Sequence, residues 1–390
     1  MPTQSSPHAV IIGAGFTGCA LAYDLAQRGF AVTVLERGEI ASGTSGRTHG
    51  LLHSGARYCT DDQEAARECI QENRILRKIA AQCIEFNGGL FVALDDSDLS
   101  YAPKFAAGAQ DCDIDIEELN PAQALQLEPN LNPQVRLAYR VPDGAFDPLR
   151  LALAFAASAR QLGAEFKPYH EVTGFLVDGQ GAVTGLNVTD RHARQAYQQP
   201  ADIVINATGA WAGHLAAMIG LTVPVTPAPG VMVAYNRRLI QRVINRLNAP
   251  GDGDILIPQR RMVVIGTTSF KVQDADYIPV FPEQVEEMHR KAMELIPAVA
   301  QTAERGAYMS ARPLIGTAED ERSLTRTFKC YDHAQGGQVE RLVTITGGKA
   351  TTCRAMAEKT ADLVCQKLVI TAVCQTAEQP LASYRLYYSA

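Results

Sequence analysis

The sequence predicts an α/β fold that contains a dinucleotide-binding unit, on the basis of three observations. A short apolar run near the N-terminus leads into glycines spaced as GxGxxG, followed by a helical pattern and a second strand. A buried strand runs into glycines again at residues 201–213, and a strand, two glycines and a helix follow one another at residues 342–368. Strands that end in glycines at a ligand-binding edge are typical of doubly wound α/β proteins.

The first of these units has each part that dinucleotide binding requires. Gly13 permits a tight turn, Gly15 lets the backbone approach a pyrophosphate, and Gly18 lets the helix pack closely on the strand. The N-terminus of that helix offers free N–H groups and a partial positive charge to phosphates. Glu36 ends the second strand, eighteen residues past Gly18, where it can accept hydrogen bonds from a ribose. The unit predicts an unphosphorylated ribose but does not separate NAD from FAD.

The two later junctions favour FAD. The first contains Ala207 and Gly209, and the second passes through Gly347 and Gly348 into a helix with an apolar stripe. Three junctions suit a long, extended dinucleotide, and a helix N-terminus near its reactive ring would stabilise the anionic reduced form. For the last element alone, a plain core helix with a glycine-rich lead-in is the alternative.

Composition limits the class of protein. A chain of 390 residues suggests about two domains, and a net charge of −6 argues against nucleic acid as the main partner. The nine cysteines are scattered without a CxxC pair, so we expect reduced cytoplasmic thiols, with neither a disulfide frame nor a metal site. The N-terminus lacks a signal-peptide pattern, and no transmembrane segment is predicted.

A polar cluster interrupts an apolar stretch at residues 51–58, LLHSGARY. His53, Arg57 and Tyr58 with an intervening glycine are poor core material. A cation, a candidate base and bare backbone in one place make this stretch a candidate for a functional site.

The middle of the chain predicts a second structural unit. Residues 223–310 hold short strands separated by Pro, Gly and Arg, which suits an antiparallel sheet with one solvated face. Residues 282–296 predict a helix with proline at its start, and residues 190–199 predict a loop or hairpin. Asp61 with Glu64 predicts a capping box for the helix after the polar cluster.

Several stretches, in order over residues 8–354, are similar to one family: IIGAGFTG, GRTHGLLHSGARY, ARECIQEN, VPDGAFDPLRL, VINATGAWAG, DILIP, IGTTS, ARPL and TITGGKATT. Together they resemble the FAD-dependent glycerol-3-phosphate dehydrogenases, above all the large catalytic subunit of the anaerobic bacterial enzyme. GLLHSGARY and TITGGK are specific to this resemblance, whereas IGAGFTG is shared by many flavoproteins.

The resemblance implies a Rossmann-like FAD-binding domain of the D-amino-acid-oxidase type, with an inserted α+β substrate domain that contains a mostly antiparallel sheet. The FAD-binding domain would be discontinuous, with the substrate domain inserted twice and a tail that either packs as a last strand or frays. The implied bounds are 1–87, 148–222 and 311–375 for the FAD-binding domain, 88–147 and 223–310 for the substrate domain, and 376–390 for the tail.

The resemblance also implies a reaction, the oxidation of sn-glycerol 3-phosphate to dihydroxyacetone phosphate by hydride transfer from C2 to flavin N5. Such a site needs cations for a phosphate dianion, a base for the hydroxyl proton and dry stacking on the flavin. Arg57, Arg312 and Lys349 match the family's phosphate-binding cations, and Tyr58 and Thr351 match neutral donors. A surface ion pair is the alternative for Arg312, and a plain helix start, unfavourable for a cation, is the alternative for Lys349.

His53 is the candidate base, because its family equivalent lies beside the flavin and an imidazole titrates near neutral pH. A structural histidine that bonds the flavin or a backbone carbonyl is the alternative. The other histidines considered have no comparable context, and we expect them to be structural: His49, His170, His214 and His333.

The FAD contacts follow from the glycine motifs and from the resemblance. Ser45 and Thr48 are expected to donate to the pyrophosphate, and Val172 to bind the adenine through its backbone. The full predicted set is Gly13, Gly15, Gly18, Glu36, Arg37, Ser45, Thr48, Val172, Ala207, Gly209, Gly347 and Gly348.

The chain departs from the family near its end. The anaerobic large subunit continues into a cysteine-rich extension, whereas Cys353, Cys365 and Cys374 lack iron–sulfur spacing. Electrons are therefore expected to leave for a quinone, for oxygen or for a partner subunit, in a cytoplasmic protein that could lie peripherally at the inner face of the cell membrane. The oligomeric state stays open. Two other functions also remain open: a related flavoenzyme for a 2-hydroxy acid or amino acid, and a non-catalytic flavin-bearing scaffold.

Overall fold

The computed structural model describes residues 6–279, 281–316, 327–335 and 339–389. Its helices are α1 (Phe16–Gln27), α2 (Gln63–Ile79), α3 (Asp96–Asp111), α4 (Pro121–Leu127), α5 (Pro148–Gln161), α6 (Ala212–Ala217), α7 (Pro282–Leu295) and α8 (Cys353–Lys367). Its strands are β1 (His8–Ile12), β2 (Ala31–Glu36), β3 (Leu51–Leu52), β4 (Ile84–Glu85), β5 (Gly89–Ala93), β6 (Glu117–Leu119), β7 (Leu137–Val141), β8 (Gly144–Phe146), β9 (Glu165–Pro168), β10 (His170–Val177), β11 (Val183–Asp190), β12 (Gln195–Pro200), β13 (Ile203–Asn206), β14 (Val225–Tyr235), β15 (Val243–Arg246), β16 (Ile255–Gln259), β17 (Met262–Gly266), β18 (Glu304–Ile315), β19 (Phe328–Asp332) and β20 (Leu342–Gly347).

A six-stranded sheet brings the three predicted glycine junctions together. Its order is β19-β20-β13-β1-β2-β9, and every neighbouring pair is parallel except β19 with β20. The strands that precede the three junctions are therefore adjacent and parallel. Because the carboxyl ends of parallel strands meet at one edge, Gly13, Ala207 and Gly348 lie along the same edge of the sheet.

Helices cover one face of this sheet, and a three-stranded antiparallel sheet covers the other. Helix α1 packs between α5 and α8, and Leu21 joins Ile11 in the core on that side. Val10 points to the opposite face, where it packs with Val172 and Val188 of the β10-β11-β12 sheet. Adjacent residues of β1 thus serve different layers, as the alternation of a strand requires.

The second large sheet has eight strands in the order β18-β14-β17-β16-β15-β5-β7-β6, and only the β15–β5 pair is parallel. Leu90 faces a core that includes Met288 of α7, whereas Phe91 faces a core that includes Phe105 of α3. The predicted combination of a Rossmann-like unit with a mostly antiparallel sheet is confirmed. The predicted helix at residues 282–296 and the predicted hairpin at residues 190–199 also form.

The predicted cap of α2 is wrong. Asp62, rather than Asp61, caps α2 by accepting a hydrogen bond from the Ala65 N–H, because the turn after Tyr58 extends one residue further than expected. Asp61 instead binds Lys104, so the capping box with Glu64 does not form.

The C-terminal residues neither form a strand nor fray. Tyr384–Tyr388 is a short 3₁₀ helix that packs on α5, with Tyr387 buried against Phe166. Backbone N–H groups of Leu381 and Ala382 donate to Ile79 and Ser158, which fixes the segment to the helical layer.

Within the described residues, none of the helices combines the length and the apolar character needed to cross a bilayer.

We predict that Gly18→Ala removes FAD from the purified protein. A Cβ at Gly18 would lie 1.9 Å from the Gly13 carbonyl oxygen, so α1 would have to move away from the turn that receives the pyrophosphate. The flavin absorbance per protein measures the effect. Gly179→Ala is the control, since a Cβ there meets no described atom within 4 Å. Retention of a full complement of FAD by the Gly18 variant would contradict the prediction.

Candidate active site

A cleft of about 1340 Å³ extends from the glycine edge of the six-stranded sheet to strands β14 and β18 of the eight-stranded sheet. Its volume exceeds the range of about 300–1,000 Å³ that is usual for small-ligand pockets, so it can hold a dinucleotide and a small substrate together. The cleft wall combines the nucleotide-binding turn with the polar segment that follows β3.

The turn after β1 is shaped for a pyrophosphate. Gly13 has a φ of +100°, and a Cβ there would come within 2.8 Å of the Ala207 carbonyl oxygen. A Cβ on Gly15 would lie 2.9 Å from Ser45 Oγ, and Ser45 Oγ itself accepts a hydrogen bond of 3.0 Å from the Phe16 N–H. A side chain at either glycine would fill the approach to the N-terminus of α1. These residues therefore fit the phosphates of a bound dinucleotide.

Glu36 holds this turn together. Its carboxylate accepts hydrogen bonds from the Ala14 N–H at 2.9 Å and the Gly38 N–H at 2.8 Å, one with each oxygen. Each oxygen retains a further lone pair, so the carboxylate can still accept from a ribose hydroxyl.

Most of the other predicted FAD residues also line the cleft. Gly347 and Gly348 both have positive φ, +85° and +66°, so the chain turns there with backbone exposed to the cleft. Gly18 packs beneath the Gly13 turn and does not line the cleft. The other predicted FAD residues that line the cleft are Arg37, Thr48, Val172, Ala207 and Gly209.

Arg37 has a partner that the sequence did not indicate. Its guanidinium binds the Asp276 carboxylate and lies 4.6 Å from the centre of the Trp211 ring. Trp211 Nε1 also donates to Asp276, at 3.0 Å. Arg37 thus connects the end of β2 to the segment that follows β17, across one side of the cleft, and its pairing lowers the pKa of Asp276.

Buried polar groups hold the segment after β3 in place. Asn73 of α2 donates through Nδ2 to the carbonyls of Leu52, His53 and Pro142, at 3.4, 3.1 and 3.1 Å. Asp143 accepts a 2.7 Å hydrogen bond from the Ser54 N–H. Sequence reasoning missed these two supports, although both lie in stretches that carried the family resemblance.

His53 lies at the cleft wall, and its side chain is largely buried. Its N–H donates to Thr351 Oγ1 at 3.1 Å, and its ring centre lies 5.3 Å from that of Tyr58. Thr351 is fully buried and is not among the residues that line the cleft, and its predicted contact with substrate stays a prediction.

The three predicted cations all line the same cleft. Arg57 donates through Nη2 to the Gly251 carbonyl at 2.9 Å and to Asp254 at 3.3 Å. Its Nη1 is buried, and among the described residues it has no hydrogen-bond partner. A buried guanidinium N–H without a partner is costly, and an anion in the cleft would supply the missing acceptor.

Arg312 is anchored along β18. It donates to the carbonyls of Ala228 and Thr268, at 3.1 and 3.0 Å, and to the hydroxyls of Thr267 and Ser269, at 3.1 and 2.7 Å. These contacts orient the guanidinium at the cleft wall.

Lys349 lies between β20 and α8, with Nζ 4.7 Å from the centre of the Tyr58 ring. Glu68 of α2 contributes negative potential nearby, but burial raises the pKa of Glu68 to about 7, an effect that Lys349 partly opposes. The carboxyl group is thus only partly ionised near neutral pH. Glu68 therefore adds less than a full negative charge beside Lys349.

His49 also lines the cleft, although the sequence analysis assigned it a structural role. Its Nδ1 accepts a hydrogen bond of 3.2 Å from the Leu51 N–H, and its ring centre lies 6.5 Å from that of His53. Burial together with the nearby positive charges of Arg312 and Arg57 lowers the pKa of His49 to about 3. The only sequence signal was its position four residues before His53 in the same stretch.

The glycine cradle, the parallel sheet and the cleft that joins it to an antiparallel sheet define an FAD-dependent oxidoreductase. The model of the FAD dependent oxidoreductase family matches residues 8–363. The crystal structure of the glycerol-3-phosphate dehydrogenase from Bacillus halodurans, complexed with FAD, superimposes with a TM-score of 0.75 at 24% identity, over 97% of this chain and 68% of that chain. At this identity the superposition supports the fold alone.

Two curated relatives narrow the family, and both are subunits of an anaerobic glycerol-3-phosphate dehydrogenase. The one from Haloferax volcanii is 42% identical over 97% of this chain and 67% of its own length. The one from Escherichia coli K12 is 40% identical over 97% of this chain and 70% of its own length. The chain belongs to the FAD-dependent oxidoreductases and, among them, to the family of these anaerobic glycerol-3-phosphate dehydrogenase subunits.

We predict that Asn73→Leu strongly lowers turnover while FAD stays bound. The substitution leaves buried carbonyls of the His53 segment without a donor, at about 1–3 kcal/mol for each unsatisfied group, so the segment shifts. Thermal unfolding and the rate of flavin reduction by substrate measure the two effects. Gln71→Leu, an exposed site on the same helix, is the control. Equal turnover in both variants would show that Asn73 does not support the segment.

We predict that Glu68→Gln stabilises the protein above neutral pH. The pKa of Glu68 is about 7 in the folded state against about 4.5 for the ordinary side chain. Between these values the folded state binds more protons than the unfolded state, so the free energy of unfolding falls as pH rises. The glutamine variant should therefore be the more stable protein at pH 8, and the difference should vanish below pH 4.5.

Urea unfolding at several pH values measures this difference. Glu283→Gln, an exposed site on α7, is the control and should give the pH profile of the unmodified chain. An unchanged profile for the Glu68 variant would contradict the raised pKa.

Proposed function

We propose that the chain oxidises sn-glycerol 3-phosphate at C2 and releases dihydroxyacetone phosphate. The observation that carries the proposal is that Arg57, Arg312 and Lys349, which are far apart in sequence, line the cleft that also contains the glycine cradle. Three cations suit a phosphate dianion better than a carboxylate, which needs fewer. The names of the relatives point to the same substrate.

The three cations contribute to phosphate binding in different ways. Arg57 offers the buried Nη1, which has no partner among the described residues, and Arg312 offers a guanidinium oriented by neutral oxygens. Arginine binds phosphate through its planar fork, whereas Lys349 contributes a point charge. Tyr58, which packs against both Lys349 and His53, places a hydroxyl and an aromatic face at the same end of the cleft.

His53 accepts the proton of the C2 hydroxyl in this proposal. Its backbone is fixed by Thr351 on one side and Asn73 on the other, which orients the imidazole toward the cleft. Bound FAD supplies the two-electron acceptor for the hydride from C2. Gly13, Gly15 and Ser45 would hold its phosphates, and Glu36 its ribose.

The domain bounds, the electron acceptor and the location of the protein also belong to this proposal. We assign residues 1–87, 148–222 and 311–375 to the FAD-binding domain, residues 88–147 and 223–310 to the substrate domain, and residues 376–390 to the C-terminal tail. The electrons pass to a quinone or to a partner electron-transfer subunit, and the protein lies in the cytoplasm, peripherally at the inner face of the cell membrane. The relatives are named as subunits, which supports a partner.

An anaerobic reduction experiment tests the proposed function. The visible spectrum of the FAD-loaded chain is recorded before and after addition of sn-glycerol 3-phosphate, and separately of lactate, 2-hydroxyglutarate and glycine. We expect only glycerol 3-phosphate to bleach the flavin. Bleaching by a hydroxy acid or amino acid alone would replace the proposed substrate class. FAD that none of these reduces would indicate a non-catalytic flavoprotein.

We predict that Arg312→Ala lowers kcat/KM for glycerol 3-phosphate, chiefly by raising KM. The loss of transition-state stabilisation should be about 2–4 kcal/mol, because a charge-assisted contact is lost in a desolvated site. Arg312→Lys should recover part of the loss, since the charge remains but the fork does not. Arg305→Ala, an exposed site on the same strand, is the control. An unchanged kcat/KM would remove Arg312 from the substrate site.

A further inference from the structure

We propose that His49 binds the phosphate-bearing end of the substrate as an uncharged hydrogen-bond donor beside Arg57 and Arg312. The proposal rests on the proposed function, and it assigns a substrate contact to a residue for which the sequence analysis expected only a structural role. It follows from where the ring lies, which of its nitrogens is already used and what charges surround it.

His49 lies near two of the proposed substrate cations. The residue lines the cleft together with Arg57 and Arg312, and the charges of both arginines act on its ring. Gln259 of β16 donates to the His49 carbonyl at 2.8 Å and to the Phe146 carbonyl at 3.1 Å, which fixes the His49 backbone beside β16 and β8. The imidazole is therefore held at a defined point of the cleft wall.

The hydrogen bonding of the ring determines its tautomer. The Leu51 N–H donates to Nδ1, so a neutral imidazole must carry its proton on Nε2. Nδ1 faces its own backbone two residues on, and Nε2 lies on the opposite side of the ring. Among the described residues, Nε2 has no hydrogen-bond partner. A single donor therefore remains available to a ligand in the cleft.

Burial and the surrounding charges keep the ring neutral. Burial lowers the pKa of His49 most, and the positive charges of Arg312 and Arg57 add to this effect, so the pKa lies at about 3 and the ring carries no charge in the physiological range. A further cation here would be repelled by both arginines, whereas a neutral N–H adds a hydrogen bond without that repulsion. A phosphate dianion has enough oxygen lone pairs to accept from His49 and from all three cations.

Two substitutions separate the two nitrogens. His49→Asn keeps an acceptor for the Leu51 N–H, because an Asn side chain accepts from the backbone two residues on, but it removes the donor on the cleft side. His49→Gln extends far enough to place an amide N–H near the position of Nε2. His192→Asn, an exposed histidine outside the cleft, is the matched control.

The experiment measures steady-state kcat and KM with sn-glycerol 3-phosphate, and inhibition by inorganic phosphate, on FAD-loaded protein with equal flavin content. We expect His49→Asn to raise KM and the phosphate inhibition constant by about ten- to a hundredfold, the range for a hydrogen bond to a charged group, with a much smaller change in kcat. His49→Gln should recover much of the loss, and the control should match the unmodified chain.

The outcomes distinguish this proposal from the one on which it rests. If the unmodified chain reduces its flavin with glycerol 3-phosphate but His49→Asn leaves KM and phosphate inhibition unchanged, the role of His49 is overturned and the proposed function stands. A fall in kcat alone, or no recovery in His49→Gln, would indicate a merely structural residue and would also overturn it. If the unmodified chain is not reduced, both proposals fail. If the asparagine variant does not fold, His49→Gln and His49→Ala replace it. An unchanged KM in His49→Gln together with weaker substrate binding in His49→Ala supports the role of His49. Unchanged substrate binding in both variants overturns it.

Discussion

Positive charge concentrated in a partly buried cleft is the constraint on which the account of this molecule depends. Arg57, Arg312 and Lys349 come from three distant parts of the chain and line one cavity. Asp254 binds one nitrogen of Arg57, and burial keeps Glu68, which lies near Lys349, partly protonated near neutral pH. Cations held in this way lose solvation, and a bound anion restores it. The cleft is therefore built for an anionic ligand.

The fold explains why these residues meet. The adjacent parallel strands β20, β13 and β1 carry the glycine turns to one edge. Lys349 lies in the turn that follows β20. Strand β18 pairs with β14 over its whole length and carries Arg312 toward the same edge from the other sheet. The polar segment after β3 enters between them, held by Asn73 and Asp143. Backbone carbonyls orient Arg57 and Arg312, and the Tyr58 ring lies against Lys349.

Local sequence patterns predicted the elements that depend on nearby residues. The glycine spacing predicted the first turn, and period and proline placement predicted α7 and α8, because these features act within one element. The resemblance, rather than spacing, brought Arg312 and Lys349 together with Arg57, since no local pattern relates residues so far apart. That these residues bind the substrate stays a prediction.

What the sequence missed depends on tertiary context. Asn73 reads as one more polar residue of an amphipathic helix, and only the packing of α2 against residues 52–54 turns its amide inward. The sequence also did not indicate that Thr351 accepts a hydrogen bond from the His53 N–H. The pairing of Arg37 with Asp276 joins the segments that follow β2 and β17. The low pKa of His49 arises from burial and from two arginines that are remote in sequence. The C-terminal aromatic residues pack as a 3₁₀ helix because the helical layer offers them a buried site.

The most direct test of the central claim is a crystal structure of the FAD-loaded chain with dihydroxyacetone phosphate bound. The account predicts electron density for the phosphate within hydrogen-bond distance of Arg57 and Arg312 and close to Lys349, with the carbon skeleton extending toward His53 and the flavin. A phosphate that binds elsewhere on the molecule, or a ligand that leaves the buried nitrogen of Arg57 without an acceptor, would contradict it.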